Sequence, residues 1–330
     1  MNIKSSLLGA VALSALAVAA VADPALIYDM GGKFDKSFNE GAYNGAEAYK
    51  AASGGAYADF EISEEAQREQ AIRRFSEEGN NPIIATGFAY SSILDAVAQE
   101  FPDQTFVTID GWVEQPNVLN VGFKEDQGSY LMGVMAAMAS KSGTIGFIGG
   151  MDIPLIQKFA CGYVQGAKAT NPDIKVIQNM TGTTASAWND PAKGAELTKA
   201  EIDQGADVVF AAAGGTGVGV LQAAADAGIL SIGVDSNQNG MHPGKVLTSM
   251  LKRVDVAVEK VMTDAAAGTL EPGIWSLGLE EGGVDYAMDD NNKDLVTPEM
   301  IAAVDAAKAK IISGEIEVHD YMSDNACPVM

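Results

Sequence analysis

The chain has 330 residues, with 21 Lys and Arg set against 44 Asp and Glu, for a formal net charge of −23. A surface this acidic repels nucleic acid and anionic lipid and excludes both as partners. The two cysteines, Cys161 and Cys327, are too few and too isolated for a zinc site.

Residues 1–22 have the three parts of an export signal. Lys4 supplies a short basic region, Leu7 to Val21 an apolar run, and Ala20-Val21-Ala22 a cleavage pattern before Asp23. The run is short and poorly flanked for a spanning helix. The bland alternative is an uncleaved anchor. Cleavage would leave 308 residues with a net charge near −24, since Lys4 is lost. No cysteine stands at the cleavage point, so no lipobox is expected there. The expected product is soluble and periplasmic, with no later membrane insertion. Its length exceeds one hydrophobic core and predicts two domains.

Ala25-Leu-Ile-Tyr28 predicts a buried strand. Gly31-Gly32 break it into a loop, Asp35 and Ser37 are N-cap types, and a helix follows from about Phe38. Helical stretches at 64–78 and 91–100 then alternate with short apolar runs at 83–85, 105–109 and 119–123. From Gly143 a second series begins. Strands are predicted at 143–150, 175–178, 207–211 and 230–234, with helices at 155–169, 191–204 and 218–227. This alternation predicts an α/β fold with parallel sheets and crossover helices, in two similar halves around a cleft. A last helix is expected at 298–313, and Glu317-Val318-His319 has strand composition.

No catalytic constellation stands out. The chain holds two histidines, His242 and His319, and no G-x-S-x-G elbow. Gly214-Gly-Thr-Gly-Val-Gly219 follows a strand and opens a helix, but its spacing fails the dinucleotide fingerprint and it lacks a phosphate-loop lysine. Its backbone N–H groups still suit ligand oxygens. No cofactor or metal is expected. Asp29, Asp110 and Asp235 each fall at a predicted carboxyl end of a strand, where α/β sheets bind ligands; each is alternatively a helix cap. Phe34, Phe38 and Phe88 fall in loops, and Phe210 ends a strand; most aromatics are core. Aromatics beside carboxylates suit a flat ring with polar edges and hydroxyls, a nucleoside or a sugar.

YDMGGKFDKSFNEGAYNG at 28–45 resembles the opening signature of the basic membrane protein family, the PnrA-like substrate-binding proteins of ABC importers. The resemblance continues through ATGFAYSS at 85–92, TIDG at 108–111, VGFKEDQGSYLMGVMAA at 121–137 and WNDPAKG at 188–194. It then runs through FAAAGGTGVGVLQAA at 210–224, GVDSNQ at 233–238 and TSMLKRVDVAV at 248–258. It implies a two-lobed type I periplasmic binding protein with a three-crossover hinge. The expected lobes are 23–124 with 252–277, and 125–251 with 278–330.

The implied ligand is a purine nucleoside, delivered to a membrane permease by a monomer that performs no enzymatic step. A sugar or other small polar solute on the same scaffold is the first alternative, and a periplasmic nucleoside hydrolase the second. By the same resemblance, Phe38 and Phe210 stack on the base, Asp110 hydrogen-bonds it, and Asp235, the Gly215 backbone and Lys252 hold the ribose. Asp29, Asn39, Gly87 and Phe88 line the cleft. Trp188 is either a further contact or a packing residue. Family members are often lipoproteins; this chain departs from that. Cys161 and Cys327 lie outside the family pattern, and are either a disulfide or two unrelated thiols.

Overall fold

The computed structural model describes residues 22–329. The export signal expected at 1–22 lies, except for Ala22, outside the described residues.

Two six-stranded sheets organise the chain. The first is built from β1 (Ala25–Tyr28), β2 (Ala58–Glu61), β3 (Ile83–Thr86), β4 (Phe106–Ile109), β5 (Val118–Phe123) and β11 (Gly273–Leu277). Its order is β11-β5-β4-β3-β1-β2, and every pairing is parallel. The second holds β6 (Thr144–Met151), β7 (Lys175–Gly182), β8 (Val208–Ala212), β9 (Leu230–Asp235), β10 (Val246–Lys252) and β12 (Val284–Tyr286), ordered β12-β10-β9-β8-β6-β7. Only β12 runs antiparallel there, against β10. The chain therefore passes between sheets after β5, after β10 and after β11.

Helices link the strands: α1 (Phe38–Ser53), α2 (Gln67–Glu78) and α3 (Ser91–Glu100) in the first half. α4 (Glu125–Ala139), α5 (Pro154–Thr170), α6 (Pro191–Asp203) and α7 (Gly217–Ala227) serve the second. α8 (Val254–Ala266) returns to pack on α1, and α9 (Pro298–Ile312) packs on α4. Parallel strands need such crossovers and bury both faces, which is why β1, β3, β4 and β8 are buried along their whole length.

α4 and α5 pack at unusually short range. Gly133 of α4 lies against the Tyr163 carbonyl, and Gly162 and Gly166 of α5 lie against the Asp126 and Tyr130 carbonyls, where a Cβ would collide with backbone. α4 is buried on nearly all sides and shows no single polar face.

The C-terminal segment forms no strand at Glu317–His319; it ends in a single 3-10 turn at Tyr321–Ser323. It is fastened to α5 by a disulfide between Cys161 and Cys327 and by paired hydrogen bonds between the Gln165 amide and the His319 backbone, at 2.9 and 3.0 Å.

Within the second lobe, Glu201 of α6 is fully buried and accepts one hydrogen bond, from Asn179 Nδ2 at 2.8 Å. Burial raises its carboxyl to about 8, with the Asn179 bond opposing. A group raised on folding adds stability fully below its unfolded pKa, and loses it as pH rises through the folded value. Glu201→Gln is expected to gain stability relative to wild type as pH rises from about 4.5 to 8, by at most about 1.4 kcal/mol per unit. Urea melts at pH 5 and pH 8 check this; an equal difference at both would refute it.

Candidate functional site

β1 delivers Asp29 at its carboxyl end, and the loop after it brings Met30 and Asp35 to the same place. The Asp35 carboxylate accepts the backbone N–H groups of Ser37, Asn39 and Glu40 at 2.8–3.1 Å, so it caps α1. Ser37 stands at the N-cap position but makes no side-chain cap; its hydroxyl donates to Asp235 of the second lobe instead. Phe38 is the first residue of this capped helix.

Asp29 and Asn39 serve the wall differently. Asp29 is buried, pairs with Arg68 of α2 at 2.9 Å and accepts the Met30 N–H. Burial pushes its carboxyl up while Arg68 and the Met30 N–H oppose the shift. The Asn39 amide binds the Asp29 and Gly32 carbonyls and accepts the Asp29 N–H, which fixes the loop. Gly87 has φ 113°, and a Cβ there would strike the Asp29 carboxylate.

These residues bound one cavity. The first lobe contributes Asp29, Met30, Asp35, Phe38, Asn39, Gly87, Phe88 and Asp110. Leu155, Ile156 and Phe159 come from α5, Trp188 from a 3-10 turn, Ala212 to Gly214 from the end of β8, and Val234 and Asp235 from β9. Lys252, at the end of β10, closes the junction. Carboxyl ends of parallel strands thus face each other across the cleft.

Of the residues picked out in the sequence, Asp29, Phe38, Asn39, Gly87, Phe88, Asp110, Trp188, Asp235 and Lys252 line this cavity. Phe210 does not. It is fully buried on β8, edge-on to Phe147 at 5.5 Å and tilted on Tyr163 at 5.3 Å. Strand alternation puts Phe210 with Val208 and Ala212 on the face packed into the main core, and Phe210 lies two residues short of Ala212, the first residue of β8 to line the cavity. At the glycine turn Gly214, not Gly215, reaches the cavity; Gly215 lies against the Trp188 carbonyl and Asp35. Phe34 is 62 % exposed and packs edge-on against Tyr43 outside the cavity.

Trp188 provides the aromatic wall of the second lobe. Its ring lies over Gly150, where any Cβ would collide with it. It is partly exposed, as are Phe38 and Phe88, whereas Phe159 is 3 % exposed and largely spent on packing. Residues the sequence reading missed include Arg68, Glu125, Lys158 and Phe159.

The floor is a buried charge cluster. The Lys252 ammonium pairs with Asp110 and, at 2.9 Å, with Glu125 of α4. Lys158 pairs with the other Glu125 oxygen at 3.1 Å and donates to the Phe123 carbonyl at 2.8 Å. Burial raises Asp110 to about 6, with Lys252 opposing and Glu125 adding to the rise. Burial likewise raises Asp235 to about 6, against Lys252 and the Ser37 hydroxyl. Burial works against ionised Glu125 too, but Lys252 and Lys158 hold it below its ordinary range. Among the described residues no hydrogen-bond donor reaches the buried Asp110 Oδ1.

The family model described as ABC transporter substrate-binding protein PnrA-like matches residues 22–321. The chain belongs to that family. It is a substrate-binding protein of an ABC transporter. The ABC transporter nucleoside-binding protein BmpA of Lactococcus lactis subsp. cremoris is 32% identical over 89% of this chain and 88% of its own. An uncharacterized lipoprotein of Pyrococcus furiosus is 35% identical over 79% of this chain and 69% of its own. Among solved structures, an ABC transporter solute-binding protein from Aeropyrum pernix K1 superimposes with a TM-score of 0.84 at 28% identity, covering 91% of this chain and 93% of that one. The two sheets and three crossings are therefore those of the two-lobed type I binding fold, and the PnrA-like signature is the loop that brings Asp29, Asp35 and Phe38 to its cleft. Among the described residues no helix is long and apolar enough to cross a membrane.

Phe210→Ala should act on the fold and leave the cleft intact. Truncating a buried Phe costs about 3–5 kcal/mol. The expected result is a lower melting temperature with ligand affinity within about twofold of wild type, the scale of a contact not made; calorimetry beside thermal melts checks it, and a large affinity loss at unchanged stability would contradict the placement.

Proposed function

We propose that this PnrA-like protein captures a purine nucleoside between its lobes and delivers it to a membrane permease. The observation that carries the reading is a pair of partly exposed aromatic side chains, Phe38 at the start of α1 and Trp188 in the turn before α6, lining one cavity with Asp110 and Asp235. A purine offers two π-faces and a polar edge, and its ribose offers hydroxyl donors. Trp188 takes the stacking role that the sequence resemblance gave to Phe210. Asp110 Oδ1 accepts from the base, and Asp235 accepts from the ribose hydroxyls. Lys252 keeps both carboxylates ionised while it is itself held by Asp110 and Glu125. The nucleoside-binding name of the Lactococcus relative supports the same ligand class.

In this reading the lobes are 23–124 with 252–277 and 125–251 with 278–330, and they hinge about the crossings. The protein works as a periplasmic monomer and carries out no covalent step. Stacking on an aromatic is worth roughly 1–3 kcal/mol per base. Phe38→Ala and Trp188→Ala are each expected to weaken guanosine, inosine and adenosine binding about 10- to 100-fold without lowering the melting temperature of the free protein to match. Titration calorimetry with these nucleosides and with arabinose and glucose is the test. Tight sugar binding with no nucleoside heat would overturn the proposal.

The floor adds a pH test. Nucleoside hydroxyls and N–H groups bond more strongly to ionised carboxylates than to neutral ones, and burial holds Asp110 and Asp235 up to about 6. Affinity for guanosine should therefore fall as pH drops from about 7 to 5, with Asp235→Asn weaker at pH 7 and flatter across the range. An unchanged pH profile in Asp235→Asn would count against its role.

A further inference from the structure

Beside the ligand cavity the two lobes touch directly, through the end of β9 and the loop before α1. The Gln238 side chain is 3 % exposed and spans this contact. Its Oε1 accepts the Val234 N–H of its own lobe at 3.0 Å, and its Nε2 donates across the cleft to the Lys36 carbonyl at 2.8 Å. Its backbone N–H is fixed by Ser249 Oγ at 2.9 Å. Two more bonds run alongside: Ser236 Oγ donates to the Ser37 carbonyl at 3.2 Å, and Ser37 Oγ donates to Asp235.

A second observation falls on the same residues. Among the described residues, four non-glycine positions have positive φ: Lys36 at 64°, Asp110 at 65°, Asp235 at 62° and Asn325 at 57°. Three of them stand at the interlobe cleft. Left-handed backbone at non-glycine residues is costly and persists where surrounding structure holds it. Lys36 supplies the carbonyl that Gln238 binds, and Asp235 supplies the carboxylate that Ser37 binds. Both halves of the contact are thus built on strained residues. Gln238 and Ser236 border a second cavity, behind Asp235 and Lys252, and neither lines the ligand cavity.

We propose that Gln238 is a closure latch: a positioning residue that sets the open–closed balance of the two lobes, and through it the affinity, without touching the ligand. The amide is suited to this because one end is satisfied inside its own lobe in any state, and the other finds the Lys36 carbonyl only when the lobes meet. Apparent affinity scales with the population of the binding-competent state. Asp235 joins latch and ligand, since it lines the cavity and accepts the Ser37 hydroxyl. The affinity arm of the test rests on the nucleoside reading; the distance arm does not.

The test uses spin labels on Lys50→Cys in the first lobe and Lys199→Cys in the second, both exposed positions. Pulsed dipolar spectroscopy reads the interlobe distance without ligand, and calorimetry with stopped-flow reads guanosine binding. Gln238→Met should shift the ligand-free distribution to longer distances and raise the guanosine Kd about 3- to 10-fold, mostly through faster release, the worth of one net hydrogen bond. Ser236→Ala should shift both in the same direction by less, and it decides the matter if Gln238→Met does not fold. Distances identical to wild type in the folded variants would overturn the latch. If wild type binds no guanosine, the nucleoside reading falls while the distance distributions still decide the latch.

Discussion

A single ammonium group organises the junction of the two lobes. Lys252 Nζ, on a side chain 2 % exposed, sits between Asp110 of the first lobe and Glu125 at the start of α4 in the second. The rings of Phe38, Phe123 and Phe159 lie 5.1–5.6 Å from it. A buried charge without a partner costs several kcal/mol, so Asp110 depends on Lys252, Glu125 on Lys252 and Lys158 together, and Lys252 on both carboxylates. Lys252 and Glu125 occur at two of the three places where the chain changes sheets. The ion pair therefore joins crossings that are far apart in sequence, and it holds Asp110 at the cavity wall.

The network continues outward through Lys158, which pairs with Glu125 at 3.1 Å, Asp126 at 3.6 Å and Asp320 at 3.5 Å. Asp320 belongs to the C-terminal segment that the disulfide and Gln165 fasten to α5. One contiguous set of charges thus runs from the cleft, past the crossings, to the tail. Lys252 stays protonated even though burial opposes its charge, because Asp110, Glu125 and Asp235 outweigh that penalty. Binding sites gain from such an arrangement, since the polar groups are held in place before the ligand arrives.

Much of this was legible in the sequence, for physical reasons. Four apolar residues followed by Asp29 and two glycines can be little but a buried strand entering a loop, and β1 is that. Asp110 and Asp235 could be placed by their position after apolar runs, because parallel sheets expose their carboxyl ends. α4 was not legible as an element, since it is buried on almost every side and carries no helical stripe. Phe210 is packed in the core because it lies two residues before the end of β8, and an apolar run does not tell how far along the strand the cleft begins; Ala212, on the same face, reaches the cavity. Arg68 and Lys158 carry no local motif. Their partners, Asp29 and the Phe123 carbonyl, are 39 and 35 residues away, and only the folded sheets bring them together.

The central claim is that Lys252 is the common counter-ion of the cleft carboxylates. The direct measurement is carboxyl-carbon NMR titration of selectively labelled aspartates in wild type and Lys252→Met, without ligand. Burial holds Asp110 and Asp235 up to about 6 while Lys252 pulls them down. Removing the ammonium should therefore raise both midpoints further, each tenfold change in proton affinity corresponding to about 1.4 kcal/mol of lost pairing. Midpoints that do not move in a folded Lys252→Met variant would contradict the account.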